Sequence, residues 1–102
     1  MNKSIAGVNV AVNEEGYLED LNQWTKEVAQ EIADEYGIQL GDEHWKVIEY
    51  LQAQHKSGVP LSIRKVGKSG VVSIKEFYAL FPDGPLKRAS KIAGIPKPVS
   101  CI

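Results

Sequence analysis

The single cysteine of this chain, Cys101, is its penultimate residue, at the end of the run Ser90-Lys91-Ile92-Ala93-Gly94-Ile95-Pro96-Lys97-Pro98-Val99-Ser100-Cys101-Ile102. A thiol does chemistry as its thiolate, as a nucleophile or a soft ligand. Here it follows a glycine placed where a helix would end and a Pro-Lys-Pro spacer that cannot rejoin regular structure. From Gly94 to Cys101 an extended chain reaches roughly 20–25 Å, far enough to carry the sulfur off the domain into another protein's pocket. Pro96 and Pro98 stiffen that reach, and a polyproline-like arm leaves a domain without stranding backbone hydrogen-bonding groups.

A lone cysteine at a chain end is commonly an accident of composition, but this one follows a spacer too polar and proline-rich to be core. Its ionisation is pulled both ways. The Ile102 carboxylate disfavours the thiolate, and Lys97, Lys91 and Arg88 favour it. A thiol of moderate reactivity on a semi-rigid arm suits a carried group better than a nucleophile in a pocket. No second cysteine exists to close an intramolecular disulfide, which fits a reducing compartment. Neither a cofactor nor a metal site is expected, because the two histidines stand apart and lack partner ligands.

The elements that must mount this arm fit one domain. The chain has 102 residues, a quarter of them charged, enough for one core that buries about two-thirds of the unfolded surface. No apolar run approaches membrane-spanning length and the N-terminus lacks the apolar segment of a signal peptide, so the expected location is cytoplasmic, without membrane contact. Residues 1–43 carry ten acidic and two basic side chains, and residues 44–102 carry three acidic and ten basic. That segregation can steer an acidic partner to the basic half, or can be no more than solvated helix faces.

The expected fold is mainly helical (α+β), a small bundle with an N-terminal hairpin, a helix-turn-helix-like core and a mobile C-terminal arm. The domain is expected over 1–94 and the arm over 95–102. Val8 to Val12 alternates as a strand, with Asn13-Glu14-Glu15-Gly16 as the turn and Tyr17-Leu18 pairing back. Leu21, Trp24, Val28, Ile32 and Tyr36 recur at helical spacing, stopped by Gly37. A second helix is expected from Asp42 to Ser57, closed by Gly58, with His44 and His55 packed on its core stripe and Trp24 and Trp45 as core. Leu61 to Lys68 reads as a short helix. Ser73-Ile74-Lys75-Glu76 is a capping box opening a helix that ends before Pro82. Pro85 opens the last helix, with Leu86, Ala89 and Ala93 on one side and Lys87, Arg88 and Lys91 on the other.

Arg64, Lys65 and Lys68 form a second candidate site. Helices joined through Ser57-Gly58-Val59-Pro60 imitate a helix-turn-helix, and these cations could meet phosphates. Without base-reading side chains, such a cluster is more often a protein-docking or solvated face, so direct nucleic-acid binding is not expected.

The residues together resemble the TusE/DsrC family of sulfur-carrier proteins. The resemblance rests on Gly16-Tyr17-Leu18, Trp24, Gly37-Ile38 with Leu40, Glu43-His44-Trp45, Pro60 followed by Ile63-Arg64 and Lys68, Leu80-Phe81-Pro82-Asp83-Gly84-Pro85, and Lys91 to Pro98 ending in Cys101-Ile102. It spans nearly the whole chain. It implies a helical domain whose penultimate cysteine accepts sulfur as a persulfide from a TusBCD-like relay complex and yields it to a tRNA 2-thiouridylase. Lys97, Lys91, Arg88, Arg64 and Lys68 would dock the arm or the partner. A DsrC-like alternative docks the arm into a sulfite reductase or another enzyme of sulfur metabolism without catalysis. In the DsrC branch a second cysteine occupies the position of Ser90, so chemistry with two thiols in one molecule is excluded here. Between Lys68 and Phe77 the chain is shorter than the family pattern by roughly a dozen residues, a length that corresponds to a trimmed helix and loop.

Overall fold

The computed structural model describes residues 1–98; Val99, Ser100, Cys101 and Ile102 lie outside the described residues, and with them the thiol and the end of the arm. Strands β1 (Asn2–Ile5) and β2 (Val8–Ala11) pair antiparallel, with Asn2 opposite Ala11 and Ile5 opposite Val8. The connection is the two-residue turn Ala6-Gly7, both at positive φ (53° and 77°), as a tight hairpin twisted with its strands requires. This corrects the expected hairpin. The strand at Val8 does form, but its partner is the N-terminal segment. The return through Tyr17-Leu18 is reduced to a bridge between Val12 and Leu18 and the bonds Asn13 N to Tyr17 O and Glu19 N to Ala11 O.

The first helix starts later than its apolar spacing predicts. Residues Leu21–Gln23 form one 3-10 turn, Trp24 is extended, and α1 runs over Lys26–Glu35 with Thr25 Oγ1 accepting from Val28 N. Thr25 at the cap gives an orphan amide a partner that a continuous helix through Trp24 would not. Helix α2 (Asp42–Lys56) matches its expected span. Helix α3 (Ile63–Lys68) opens two residues later than Leu61 because Ser62 caps it. Residues 69–73 then lead directly into α4 (Ile74–Leu80), whose capping box is complete: Glu76 N donates to Ser73 Oγ and Ser73 N to Glu76 Oε1.

The last helix, α5 (Pro85–Ile92), ties the rest together, packing on α1, α2 and α4. Its inner face is Pro85, Leu86, Ala89, Ser90 and Ile92, all buried. Of these, Leu86, Ala89 and Ile92 join Val28, Ile32, Val47, Ile48, Leu51, Phe77 and Phe81 in one core. Trp24 and Trp45 border this core half-buried instead of sitting inside it. His44 is a packed, hydrogen-bonded histidine. Gly41 N donates to its Nδ1 (3.1 Å), so Nε2 carries the proton and donates to Leu80 O (3.0 Å), with Phe81 edge-on at 5.2 Å. His55 is not packed. It lies exposed in the last turn of α2, beyond the last core residue of that helix, Leu51.

Candidate functional site at the root of the arm

Three helices here end in the same way. After α1, α2 and α5 a glycine at positive φ is followed by an apolar residue whose amide reaches back into the helix: Ile38 N to Ala33 O, Val59 N to Gln54 O and Ile95 N to Ser90 O. This pattern satisfies carbonyls that a helix end otherwise strands. The third is distinguished by what surrounds it. Trp24 Nε1 donates to Ile92 O (2.8 Å) and Gln52 Nε2 to Ala93 O (2.8 Å), so α1's leading segment and α2 each grip the last turn of α5. Gly94, at φ 75°, lies under the indole, where a Cβ would come within 2.6 Å of Trp24 Cδ1. Ile95 is buried to 1% exposure. The sequence reading begins the arm at Ile95; Ile95 itself is held in the core, and exposed chain starts at Pro96.

Beside this root the outer face of α5 gathers cations. Lys91 Nζ donates to Tyr36 Oη (2.9 Å) and stands 5.5 Å and 5.9 Å from the Tyr36 and Tyr17 ring centres. Arg88 lies 4.2 Å over the Tyr36 ring. Such cation–ring contacts are stronger when partly desolvated, and both cations are half-buried. Gly16 makes room for this arrangement, because a Cβ there would meet Lys91 Cε and Nζ at 2.9 Å. Tyr17 Oη donates to Lys87 O (3.3 Å), fixing the second ring. Arg88, Lys91 and the two rings line a surface cavity of about 240 Å³ together with Lys87 and two carboxylates, Glu15 and Asp83. Lys97, the first cation of the exposed arm, pairs with Glu15 at 3.0 Å.

The structure thus brings Arg88, Lys91 and Lys97 together around the root. It does not bring Arg64 and Lys68 to them. Those two, with Lys65, line a separate cavity of about 540 Å³ between α3 and α2, and the two cavities share no residue. Sequence reasoning missed Tyr36, which it placed on the core stripe of the first helix, and it missed Glu15 and Gln52. The signal for Tyr36 was its phenol, since a stripe residue with a polar tip can turn that tip toward a neighbouring cation. Ser90 is buried at 0% exposure, and its Oγ has no hydrogen-bond partner among the described residues.

Among the described residues this site is an open surface cavity and not an enclosed catalytic centre. It grips the base of the segment that follows α5 through Trp24 and Gln52, and beside that base it sets Arg88 and Lys91 on tyrosine rings, with Glu15 and Asp83 lining the same cavity. The family model described as "DsrC like protein" matches residues 4–102, a span that includes Cys101. Sulfurtransferase TusE of Buchnera aphidicola (subsp. Acyrthosiphon pisum, strain APS) is 43% identical over 103 residues, covering 92% of this chain and 90% of that protein. Among solved structures, dissimilatory sulfite reductase I (DsrI) superposes with a TM-score of 0.86 at 35% identity, and DsrC of Allochromatium vinosum with 0.82 at 37%. Both comparisons cover all of this chain and all of the other.

Proposed function

The chain belongs to the DsrC-like family, and from that premise we propose that it is a sulfur carrier whose cargo rides on Cys101 as a persulfide. The observation that carries this reading is that the family match runs to the end of the chain, where the only cysteine stands. The Cys101 thiolate attacks the outer sulfur of a donor persulfide. The donor's S–S bond breaks, its inner sulfur leaves as a thiolate, and a new S–S bond forms on Cys101. An acceptor thiolate then attacks the outer sulfur in turn and releases Cys101 as thiolate. Each step is a displacement at sulfane sulfur, without net oxidation and without a cofactor.

In this reading the protein is a substrate for the enzymes on either side, a TusBCD-like donor complex and an acceptor that thiolates the wobble uridine of tRNA, all in the cytoplasm. Arg88 and Lys91 offer a docking face at the root, and Lys97 lies on the tether itself. The clamp of Trp24 and Gln52 on the last turn of α5 fixes the point from which the tether departs, which limits the orientations that must be ordered on docking. A second reading, in which the arm docks into a sulfite reductase without carrying sulfur, is favoured by the likeness to DsrI and DsrC.

Intact and peptide mass spectrometry tests the choice. After incubation with a cysteine desulfurase, cysteine and a TusBCD-type relay, the C-terminal peptide is expected to gain one sulfur on Cys101, removable by reductant and absent in Cys101→Ser. A free, reactive thiol that gains nothing from that relay, together with arm-dependent capture of a sulfite reductase, would decide for the second reading.

A further inference from the structure

Helix α4 is short of packing. Of its seven residues, Ile74–Leu80, only Phe77 is buried, although a helix this short takes most of its stability from an apolar face packed on a neighbour. Its capping box makes up part of the difference. Ile74 and Tyr78 stand one turn apart on one face and remain 44% and 49% exposed, two of the four large apolar side chains that the described residues leave exposed. Ile74 touches α3 on one side, where a Cβ on Gly67 would come within 2.4 Å of its Cγ1. The rest of the stripe is open to solvent.

Beside the stripe lies a groove. Tyr78 forms one wall of a surface cavity of about 360 Å³, closed by Ile63 of α3 and by Gly84, Pro85 and Leu86 at the start of α5. Two charged side chains line it, Asp83 and Lys87. Neither forms an ion pair among the described residues. Other cavities of this protein are dominated by one sign: Arg64, Lys65 and Lys68 line the one between α3 and α2, and Glu14, Glu15 and Glu19 line one beside Met1. The groove at α4 is balanced, with one acid and one base between apolar walls and an exposed aromatic at its edge.

A partner surface of either sign would meet a like charge in this groove. A second copy of the chain does not, because in a two-fold contact residue i of one copy meets residue j of the other and the reverse. Asp83 of each copy then faces the partner's Lys87, and Tyr78 of each enters the partner's groove. We infer that the α4 stripe and this groove form an isologous dimer contact between two copies of the chain. Burial of Ile74 and Tyr78 drives it, and the exposed charge pairs fix its register more than its strength. Asp83 and Lys87 also line the cavity at the root of the arm, so the contact adjoins the root. It uses no thiol and does not depend on the carrier reading.

The test is sedimentation equilibrium of the full-length protein, with reductant present, at concentrations from about 10 to 500 µM. A contact this small belongs to the weak class, with a dissociation constant on the order of 100 µM, so the average mass should rise from one chain toward two across that range. Y78S should weaken association at least about tenfold. K87E leaves two acids in the groove and D83K two bases, so each alone should stay monomeric, while an equimolar mixture of the two pairs every charge and should associate again. Folding of each variant is checked by circular dichroism; Y78S and K87E, both at exposed helix positions, keep the test decisive if D83K does not fold. A protein that stays monomeric to 500 µM, or that associates equally in wild type, Y78S and K87E, overturns the inference. Association that vanishes in Cys101→Ser also overturns it, in favour of a thiol-linked dimer.

Discussion

Replacing Gly94 by alanine asks whether the root of the arm is held by the fit between Trp24 and a backbone lacking a Cβ. At φ 75° an L-residue pays about 1–2 kcal/mol for left-handed backbone. The added Cβ would lie 2.6, 2.9 and 3.0 Å from Trp24 Cδ1, Cγ and Cβ. The last of these is the first atom of the side chain, so the indole cannot rotate clear and the Trp24 segment must shift. That shift breaks the bond from Nε1 to Ile92 O, worth about 0.5–1.5 kcal/mol. Together these come to about 1.5–3.5 kcal/mol. At about 4–8 °C per kcal/mol for a domain near this size, the melting temperature should fall by at least about 6 °C.

Gly37 supplies the control. It occupies the same position after α1, at φ 71°, with nothing within 4 Å of its ideal Cβ, so Gly37→Ala should cost only the backbone term of about 1–2 kcal/mol. Urea and thermal unfolding of both variants, followed by circular dichroism, give the comparison. The difference between them isolates the Trp24 contact from the conformational cost common to both. Equal losses, within about 0.5 kcal/mol, would refute the fit as the source of anchoring and leave only the glycine conformation.

Three further outcomes are expected. Ser90→Ala should stabilise the fold by about 1 kcal/mol in urea unfolding, because it removes a buried hydroxyl without a hydrogen-bond partner; a loss of stability would reveal a partner for Oγ. The backbone N–H and hydroxyl of Ser73 hold the Glu76 carboxyl below its ordinary value. A lowered folded value means that this stabilisation is complete at neutral pH and fades as pH falls below the usual glutamate range through the folded value, so Glu76→Gln should flatten that part of the acid limb in thermal melts taken from pH 7 downward. Gln52→Ala cuts a part-buried bond to Ala93 O worth about 1 kcal/mol and should speed hydrogen exchange at the Ile95 amide about fivefold. Glu15→Gln, which removes only the exposed pair with Lys97, should leave that amide unchanged, and an equal acceleration in both would refute the separation.

Much of the fold is legible because its signals are local. Ser73 and Glu76 declare a capping box three residues apart, Pro85 a first helical turn, and Gly37, Gly58 and Gly94 the ends of helices, and each acts where it is read. The hairpin was misread for the same reason. Asn13-Glu14-Glu15-Gly16 has the stronger turn composition, whereas the turn that forms places Ala6 at φ 53°, a residue that advertises no turn. Its adoption depends on distant contacts, with Ile5 entering the core and Ala6 N donating to the Glu31 carboxylate. The candidate site divides similarly. Arg88 and Lys91 were legible as one face of a helix, but Tyr36 and Glu15 meet Lys91 and Lys97 only through the packing of α5 on α1 and the course of residues 13–17. The separation of Arg64 and Lys68 from the arm's cations is a property of how α3 packs on α4, which no spacing in the chain encodes.

The partners chosen for the cations at the root have a consequence for docking. Glu15 and Asp83 line the same cavity as Lys91 and Arg88, but among the described residues neither carboxylate forms an ion pair with them. Tyr36 and Tyr17 hold Lys91 with a hydroxyl oxygen and ring faces, which stabilise an ammonium without an ion pair. Arg88 over Tyr36 is held in the same way. Lys97 is the exception, neutralised by Glu15 in a pair exposed enough to exchange with solvent and salt. On the docking reading proposed above, an acidic surface would meet Arg88 and Lys91 beside Pro96, partly offset by Glu15 and Asp83, and could take Lys97 from its exposed pair with Glu15 at little cost.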